Sequence, residues 1–336
     1  KHGKKCKIDK YTLILIVLLL LLTGLVIAWK LPQKEDRYIH VGIAVYDRSD
    51  TFMESYIREL EDKIGQTRIL GKKVSYEIYD AEGIGSRQEK QLQEMYAQDY
   101  DVMLVNLVEP ASAASVLTDA KDADIPVILF NREIDEKDLK ISKNVWYVGT
   151  DARAAGVMQG KLLKDLWKKQ SRILDWNGNG MLDYVLVEGE ESHFDAIRRT
   201  SGFLETGAEL PLNQKGNILA EWKRELAYEK FAALDDEAVQ NVEAVICNND
   251  DMALGVYDYY KEKNLKLPVI IGINNSEEMH QKIMSGEMYG TIDNKMEDQV
   301  MEICRLMQAI LKKDTGSYQK VWYSTPKAIV KAEGTE

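Results

Sequence analysis

Residues 175–200, DWNGNGMLDYVLVEGEESHFDAIRRT, set two kinds of chemistry side by side. The first half offers side-chain oxygens at alternate positions, Asp175, Asn177, Asn179 and Asp183, with Gly180 where a cation loop must turn sharply. This is the spacing of an EF-hand type calcium loop, in which positions 1, 3, 5 and 9 give side-chain oxygens, position 6 is Gly, and position 7, here Met181, gives its carbonyl. The loop departs from that pattern at position 12, which is Leu186 inside the apolar run YVLV, a buried strand by composition. A closing carboxylate has to come from elsewhere. Asn-Gly pairs also favour positive φ, so NGNG reads as a tight turn as well. In the second half His193, Asp195 and Arg199 follow the strand at the mouth of a helix, where a doubly wound sheet binds ligands.

These residues need a scaffold, and the pattern from His40 onward supplies one. Short apolar runs are expected as strands at 40–46, 74–79, 102–105, 127–129 and 146–148, with helices at 51–64, 87–98, 111–122 and 154–168. A second round follows, with strands at 184–187, 218–221, 244–247, 269–273 and 289–292. Such alternation means parallel sheets covered on both faces, and the length fits two domains of α/β class in tandem.

The N-terminal end is different. Lys1, Lys4, Lys5, Lys7 and Lys10 precede the uncharged residues 11–29, a stretch long enough to cross a bilayer. Positive charge on the N-terminal side keeps that end in the cytoplasm and places the rest outside. GLVIAWK lacks a clean small-x-small cleavage site, which favours an uncleaved anchor over a secretory peptide. The expected organisation is a basic stub at 1–10, a transmembrane signal anchor at 11–29 and a polar linker at 30–37. The expected location is the cell membrane, single-pass, with the folded part extracytoplasmic.

A net charge of −11 argues against nucleic acid as a partner. Cys6, Cys247 and Cys304 lack metal-ligand spacing, and the last two sit in apolar runs as buried free thiols. No serine or cysteine stands with a histidine in a nucleophile motif and no Gly-rich phosphate loop appears, so an enzyme is not expected. A regulator of this layout needs an N-terminal DNA-binding helix pair, and the apolar segment 11–29 stands in that place instead, so a regulator is not expected.

Hydrogen-bonding groups recur at the carboxyl ends of the expected strands. Asp50 follows the first strand and Phe52 is two residues on; Asn131 follows the fourth. Trp222, Asn249, Asn274 and Asn294 follow later ones. Asp50 also reads as a helix cap, Asn131 as a turn, and the two aromatics as core. Their joint placement after successive strands favours a ligand cleft.

The loop, the pattern GExxHxDAxxR from Gly189 to Arg199, and VEAVICNNDDMALG from Val242 to Gly255 resemble the galactose/glucose-binding proteins, type I periplasmic sugar-binding proteins with a calcium loop. The resemblance extends to NLVEPA, LFNRE and YVGTD. It implies the type I periplasmic-binding-protein fold, two doubly wound lobes joined by a three-segment hinge. The lobes would be 38–149 with 295–322, and 150–294 with 323–336, the latter carrying the loop. It assigns Asp50, Phe52, Asn131, His193, Asp195, Arg199, Trp222, Asn249, Asn274 and Asn294 to a monosaccharide, with Phe52 and Trp222 stacking on the ring. Asn274 stands where the family usually has Asp, which affects epimer choice. It also implies a structural Ca2+ held by Asp175, Asn177, Asn179, the Met181 carbonyl, Asp183 and the remote Glu243. The implied function is sugar delivery to an ABC permease. The alternative is a sugar sensor that reports to a sensor kinase.

Overall fold

The computed structural model describes Lys10, residues 38–234 and residues 239–331. The expected transmembrane segment, stub and linker lie outside the described residues. No helix among the described residues is long and apolar enough to cross a membrane. From Ile39 onward the chain forms one compact unit.

Two sheets carry the chain. The first has seven strands in the order β12-β6-β5-β4-β1-β3-β2. Its strands are β1 (Tyr38–Val45), β2 (Arg68–Ile69), β3 (Lys72–Asp80), β4 (Val102–Val105), β5 (Val127–Phe130), β6 (Val145–Thr150) and β12 (Val321–Ser324). Helices α1 (Thr51–Gln66), α2 (Gly85–Tyr96) and α3 (Ala113–Asp122) connect them. Period-two alternation splits the first sheet's side chains between two cores. Ile43 and Val45 join Tyr56, Leu60 and Leu306 on one face, while Ala44 joins Leu92, Met95 and Leu117 on the other.

The second sheet has six strands in the order β13-β11-β10-β9-β7-β8. These are β7 (Leu182–Glu188), β8 (Leu212–Leu219), β9 (Ala244–Cys247), β10 (Val269–Ile273), β11 (Gly290–Asp293) and the antiparallel β13 (Lys327–Val330). Helices α4 (Ala152–Leu174) and α5 (Phe194–Gly207) cover one face. Helices α6 (Arg224–Ala232), α7 (Asp250–Glu262) and α8 (Glu277–Ser285) cover the other, and α9 (Met296–Leu311) returns to pack on the first lobe. Cys247 and Cys304 are buried free thiols.

Two elements differ from the sequence reading. The strand expected at 218–221 starts at Leu212 and ends at Leu219. It is an edge strand whose first residues, Asn213 to Gly216, are polar because one side meets solvent, and that hides them from a hydrophobicity search. The third passage between lobes falls at Thr325 and Pro326, between β12 and β13, and not at 322/323. Residues VWYS thus complete the first sheet, pairing in parallel with β6.

The passages meet in one buried network. The Thr150 hydroxyl donates to the Asn294 carbonyl at 2.9 Å and Ser324 Oγ donates to the same carbonyl at 2.7 Å. The amide of Gln299 on α9 donates to both Thr150 Oγ1 (2.8 Å) and the Asn294 carbonyl (2.9 Å). Each crossing segment therefore contributes an oxygen to a single knot.

The ligand-facing end of the second lobe depends on a close approach of α4 and α5. A Cβ at Gly156 would lie 1.9 Å from the Arg199 carbonyl oxygen, so a methyl there forces the helices apart. Gly156→Ala is expected to lower stability by about 1–3 kcal/mol, the range for overpacking, in chemical denaturation. An unchanged denaturation midpoint would contradict this packing.

Candidate functional site

Nine of the ten residues expected at the ligand site line one pocket between the lobes. Asp50, Phe52 and Asn131 come from the first lobe, and His193, Asp195, Arg199, Trp222, Asn249 and Asn274 from the second. The tenth, Asn294, is buried outside that lining, where its Nδ2 donates to Asn274 Oδ1 at 2.9 Å. It holds a lining residue and sits in the hinge knot. Tyr46, Met53 and Arg132 also line the pocket and were not singled out. Tyr46 follows β1 and Arg132 follows Asn131, so the strand-end rule applied one residue further would have found both.

Helix N-termini aim at this pocket. Asp50 caps α1, its Oδ1 accepting from the Met53 N–H at 2.8 Å, and Asn249 caps α7 through Met252 at 3.0 Å. His193 precedes α5 and its Nδ1 accepts from the Asp195 N–H at 3.1 Å. Capping and pocket lining are thus two uses of one side chain. The caps fix rotamers, and three helix starts supply positive potential at the cleft.

Trp222 is held on several sides. Glu221 and Trp222 both adopt positive φ, 49° and 65°, which turns the ring away from the β8 direction into the cleft. The ring lies over Gly189, where an added Cβ would come within 2.3 Å of it. His193 meets it edge-on at 5.3 Å, Arg199 approaches its face at 5.4 Å, and its Nε1 donates to Glu190 at 3.1 Å. The Asn249 amide donates to its carbonyl at 2.9 Å. Phe52 meets Tyr56 at 5.9 Å, which in turn stacks on Phe130. Flat apolar surfaces are therefore fixed before any ligand arrives.

Charges in the pocket are balanced, with Arg132, Asp195 and Arg199 buried and Asp50 partly so. Burial lowers the His193 pKa to about 2, with Arg132 and Arg199 adding to the effect, so the ring is neutral. With Nδ1 accepting, its proton sits on Nε2, which is buried and has no partner. Arg199 donates from Nη1 to the Asn248 carbonyl at 2.6 Å while its buried Nε has no partner. Burial raises the carboxyls of Asp50 and Asp195, and nearby Arg132 and Arg199 act in the opposite direction. Arg132 is anchored on the Val108 carbonyl at 2.6 Å and packs over the Tyr46 ring at 3.7 Å. Acceptors and donors thus face one another across an aromatic-lined space.

The Asp175–Asp183 loop closes at the start of β7. Gly178 and Gly180 take positive φ, 71° and 77°, as the sharp turn requires. Asn177 Nδ2 and Asn179 Nδ2 both reach Asp183 Oδ2, at 2.9 and 3.2 Å. Glu243, 60 residues away in sequence from Asp183, accepts from the Asp183 N–H at 3.0 Å and from the Asn177 N–H at 3.3 Å. Asp175 Oδ1 is buried with no partner. Among the described residues no three His, Cys, Asp or Glu side chains cluster at metal-holding range. The loop's donors are of mixed type, however, with two amides and a backbone carbonyl beside the carboxylates. The orphaned Asp175 oxygen and the convergence of Asn177, Asn179 and Asp183 fit a hard cation once each carboxamide turns its oxygen inward. Met181 is exposed and its N–H donates to Asn179 Oδ1 at 2.7 Å.

One titration follows from the cleft. Asp251, at the start of α7, lines the space between the lobes together with Asp50 and Thr51 of the first lobe. Burial, helped by Asp50 and Asp250, pushes its carboxyl up to about 7. A native pKa above the unfolded value of roughly 3.9 means that the folded form holds the proton more tightly. Ionisation of Asp251 therefore opposes the folded state increasingly between about pH 4 and pH 7, and constantly above. Asp251→Asn is expected to raise the thermal midpoint at pH 8 by about 2–4 °C and to leave it nearly unchanged at pH 4. Equal midpoints at pH 8 would contradict the assignment.

Comparison with known proteins places this geometry. The D-galactose/methyl-galactoside binding periplasmic protein MglB of Haemophilus influenzae is 30% identical over 290 residues, 84% of this chain and 84% of that protein. The galactofuranose-binding protein YtfQ of Escherichia coli is 27% identical, covering 71% of this chain and 74% of its own. An ABC transporter periplasmic solute binding protein from Actinobacillus succinogenes, solved with bound D-allose, has a TM-score of 0.75 at 19% identity. That likeness covers 87% of this chain and 97% of the other. The pattern of the periplasmic binding protein domain matches residues 41–315, and the chain belongs to that family.

Proposed function

We propose that this protein is an extracytoplasmic hexose receptor, for galactose or glucose, whose lobes close on the sugar and deliver it to an ABC permease. The observation that carries the reading is the pair of buried donors without protein partners, His193 Nε2 and Arg199 Nε, in a pocket that Trp222 and Phe52 also line. Such orphans destabilise by about 1–3 kcal/mol each unless something accepts from them. Ligand hydroxyl oxygens supply acceptors, and the same hydroxyls donate to Asp50 and Asp195. A hexose ring has apolar faces that suit fixed aromatic surfaces. Two relatives named for galactose or galactofuranose support this ligand class. Family members are solute-binding proteins, which agrees with the missing nucleophile motif.

Two further parts belong to the proposal. A structural Ca2+ would be held by Asp175, Asn177, Asn179, the Met181 carbonyl, Asp183 and Glu243. It would tie the C-terminal end of α4 to the start of β9, and so fix the lobe that carries His193 and Trp222. Residues 11–29 would anchor the receptor in the membrane with its cleft outside.

Calorimetric titration with galactose and with glucose tests the reading. One hexose is expected to bind one-to-one at micromolar Kd or tighter. Trp222→Ala is expected to weaken it by roughly 30-fold, the scale of a buried aromatic anchor. Heat from neither sugar at millimolar concentration, with the chain folded, rules out the hexose assignment. Chelation is expected to lower the thermal midpoint and added calcium to restore it; an indifferent midpoint rules out the cation.

A further inference from the structure

Two adjacent residues of the first lobe, Arg132 and Glu133, carry opposite charges, and each pairs with a residue of the second lobe. Arg132 Nη2 meets Glu190 Oε1 at 2.8 Å. Glu133 Oε1 receives Arg198 Nη1 and also the Tyr323 hydroxyl. Glu190 and Arg198 bracket the N-terminus of α5, so the sequence of charges, plus then minus, meets minus then plus across the gap.

The outer pair is separate from the ligand pocket. Neither Glu133 nor Arg198 lines it. The Glu133 side chain is 3% exposed and its Oε2 is buried without a partner, whereas Arg198 is 35% exposed. Tyr323 lies on β12, two residues before the Thr325–Pro326 crossing, so the contact is anchored beside the hinge. Parting the lobes would remove the guanidinium and leave Glu133 with Tyr323.

We infer that the Glu133–Arg198 pair is a latch that holds the lobes together without ligand, making Arg198 a positioning residue that sets affinity from outside the pocket. The consequence rests on the hinge-closing reading above. Apparent affinity is the closed-state affinity reduced by the fraction of molecules already closed, so a latch that raises this fraction strengthens binding of every ligand alike. It also acts without any contact to the sugar. The neighbouring Arg132–Glu190 pair has a second duty, since Glu190 also receives the Trp222 indole, and so gives a less clean test.

The experiment follows lobe separation in the full chain by single-molecule energy transfer. Dyes are placed through Arg58→Cys and Lys223→Cys on opposite rims of the cleft, in a Cys6→Ser background. Without sugar, Arg198→Ala is expected to lower the closed fraction at least fivefold, and saturating hexose is expected to restore it. Its Kd for galactose or glucose is expected to rise about 5- to 30-fold, the scale of a partly exposed charge pair across an interface. Glu133→Gln is expected to add little on top of Arg198→Ala, because the two act as one unit. Arg198→Lys, which keeps the charge and loses the fork, is expected to fall between and serves if the alanine variant unfolds. An unliganded closed fraction in Arg198→Ala and Arg198→Lys equal to that of the parent chain overturns the latch. This readout needs no ligand, so it decides the latch even if neither hexose binds.

Discussion

The fold depends on a buried knot of hydrogen bonds in which three chain crossings share one carbonyl. Thr150 closes β6, Asn294 follows β11 and Ser324 closes β12, and their oxygens converge with the Gln299 amide between the two sheets. A buried polar network of this kind is favourable to the extent that its members are paired; the Thr150, Ser324 and Gln299 donors are, while Gln299 Oε1 and Asn294 Oδ1 are buried without partners. Here the pairing ties together segments 144 and 174 residues apart from Thr150 in sequence. This point gathers the three passages between the lobes at one place, with the pocket-lining strand ends on either side of it.

What sits there follows from parallel-sheet geometry. Carboxyl ends of strands pass directly into helix starts, so caps, orphan N–H groups and positive helix ends collect at one edge of each sheet. Asp50, His193 and Asn249 each satisfy a helix start and face the cleft with what is left over. For neutral His193 the remainder is a donor at Nε2, which stays without a protein partner in a residue that lines the pocket. Burial prevents the ring from charging, so this donor persists across the physiological pH range. The positive φ at Glu221 and Trp222 is the local strain that sets the indole, tolerated because Gly189 leaves room beneath it.

Much of this was legible in the sequence because it is local. Strand periodicity gave the sheets, and polar residues after strands marked Asp50, Asn131, His193, Trp222 and Asn249. Features that depend on long-range pairing were hidden. The polar start of β8 shows no alternation because it is an edge. The third crossing moved to Thr325–Pro326 because the parallel pairing of β12 with β6 claims residues VWYS, and pairing partners cannot be read from composition. Arg132, Glu133 and Arg198 look like ordinary surface charge in one dimension, and only the approach of the lobes makes them complementary. Asn294 follows β11, and that place puts it both in the hinge and beside Asn274, to which its Nδ2 donates, while its Oδ1 is buried without a partner.

The central claim is that a hexose ring is held between fixed aromatic surfaces by groups the protein itself leaves unpaired. A crystal structure of the chain grown with galactose or glucose, whichever binds more tightly, tests this most directly. The account predicts a sugar ring between Phe52 and Trp222, with hydroxyl oxygens within hydrogen-bond distance of His193 Nε2 and Arg199 Nε. A sugar bound elsewhere, or one in this cleft with both donors still unpartnered, would contradict it.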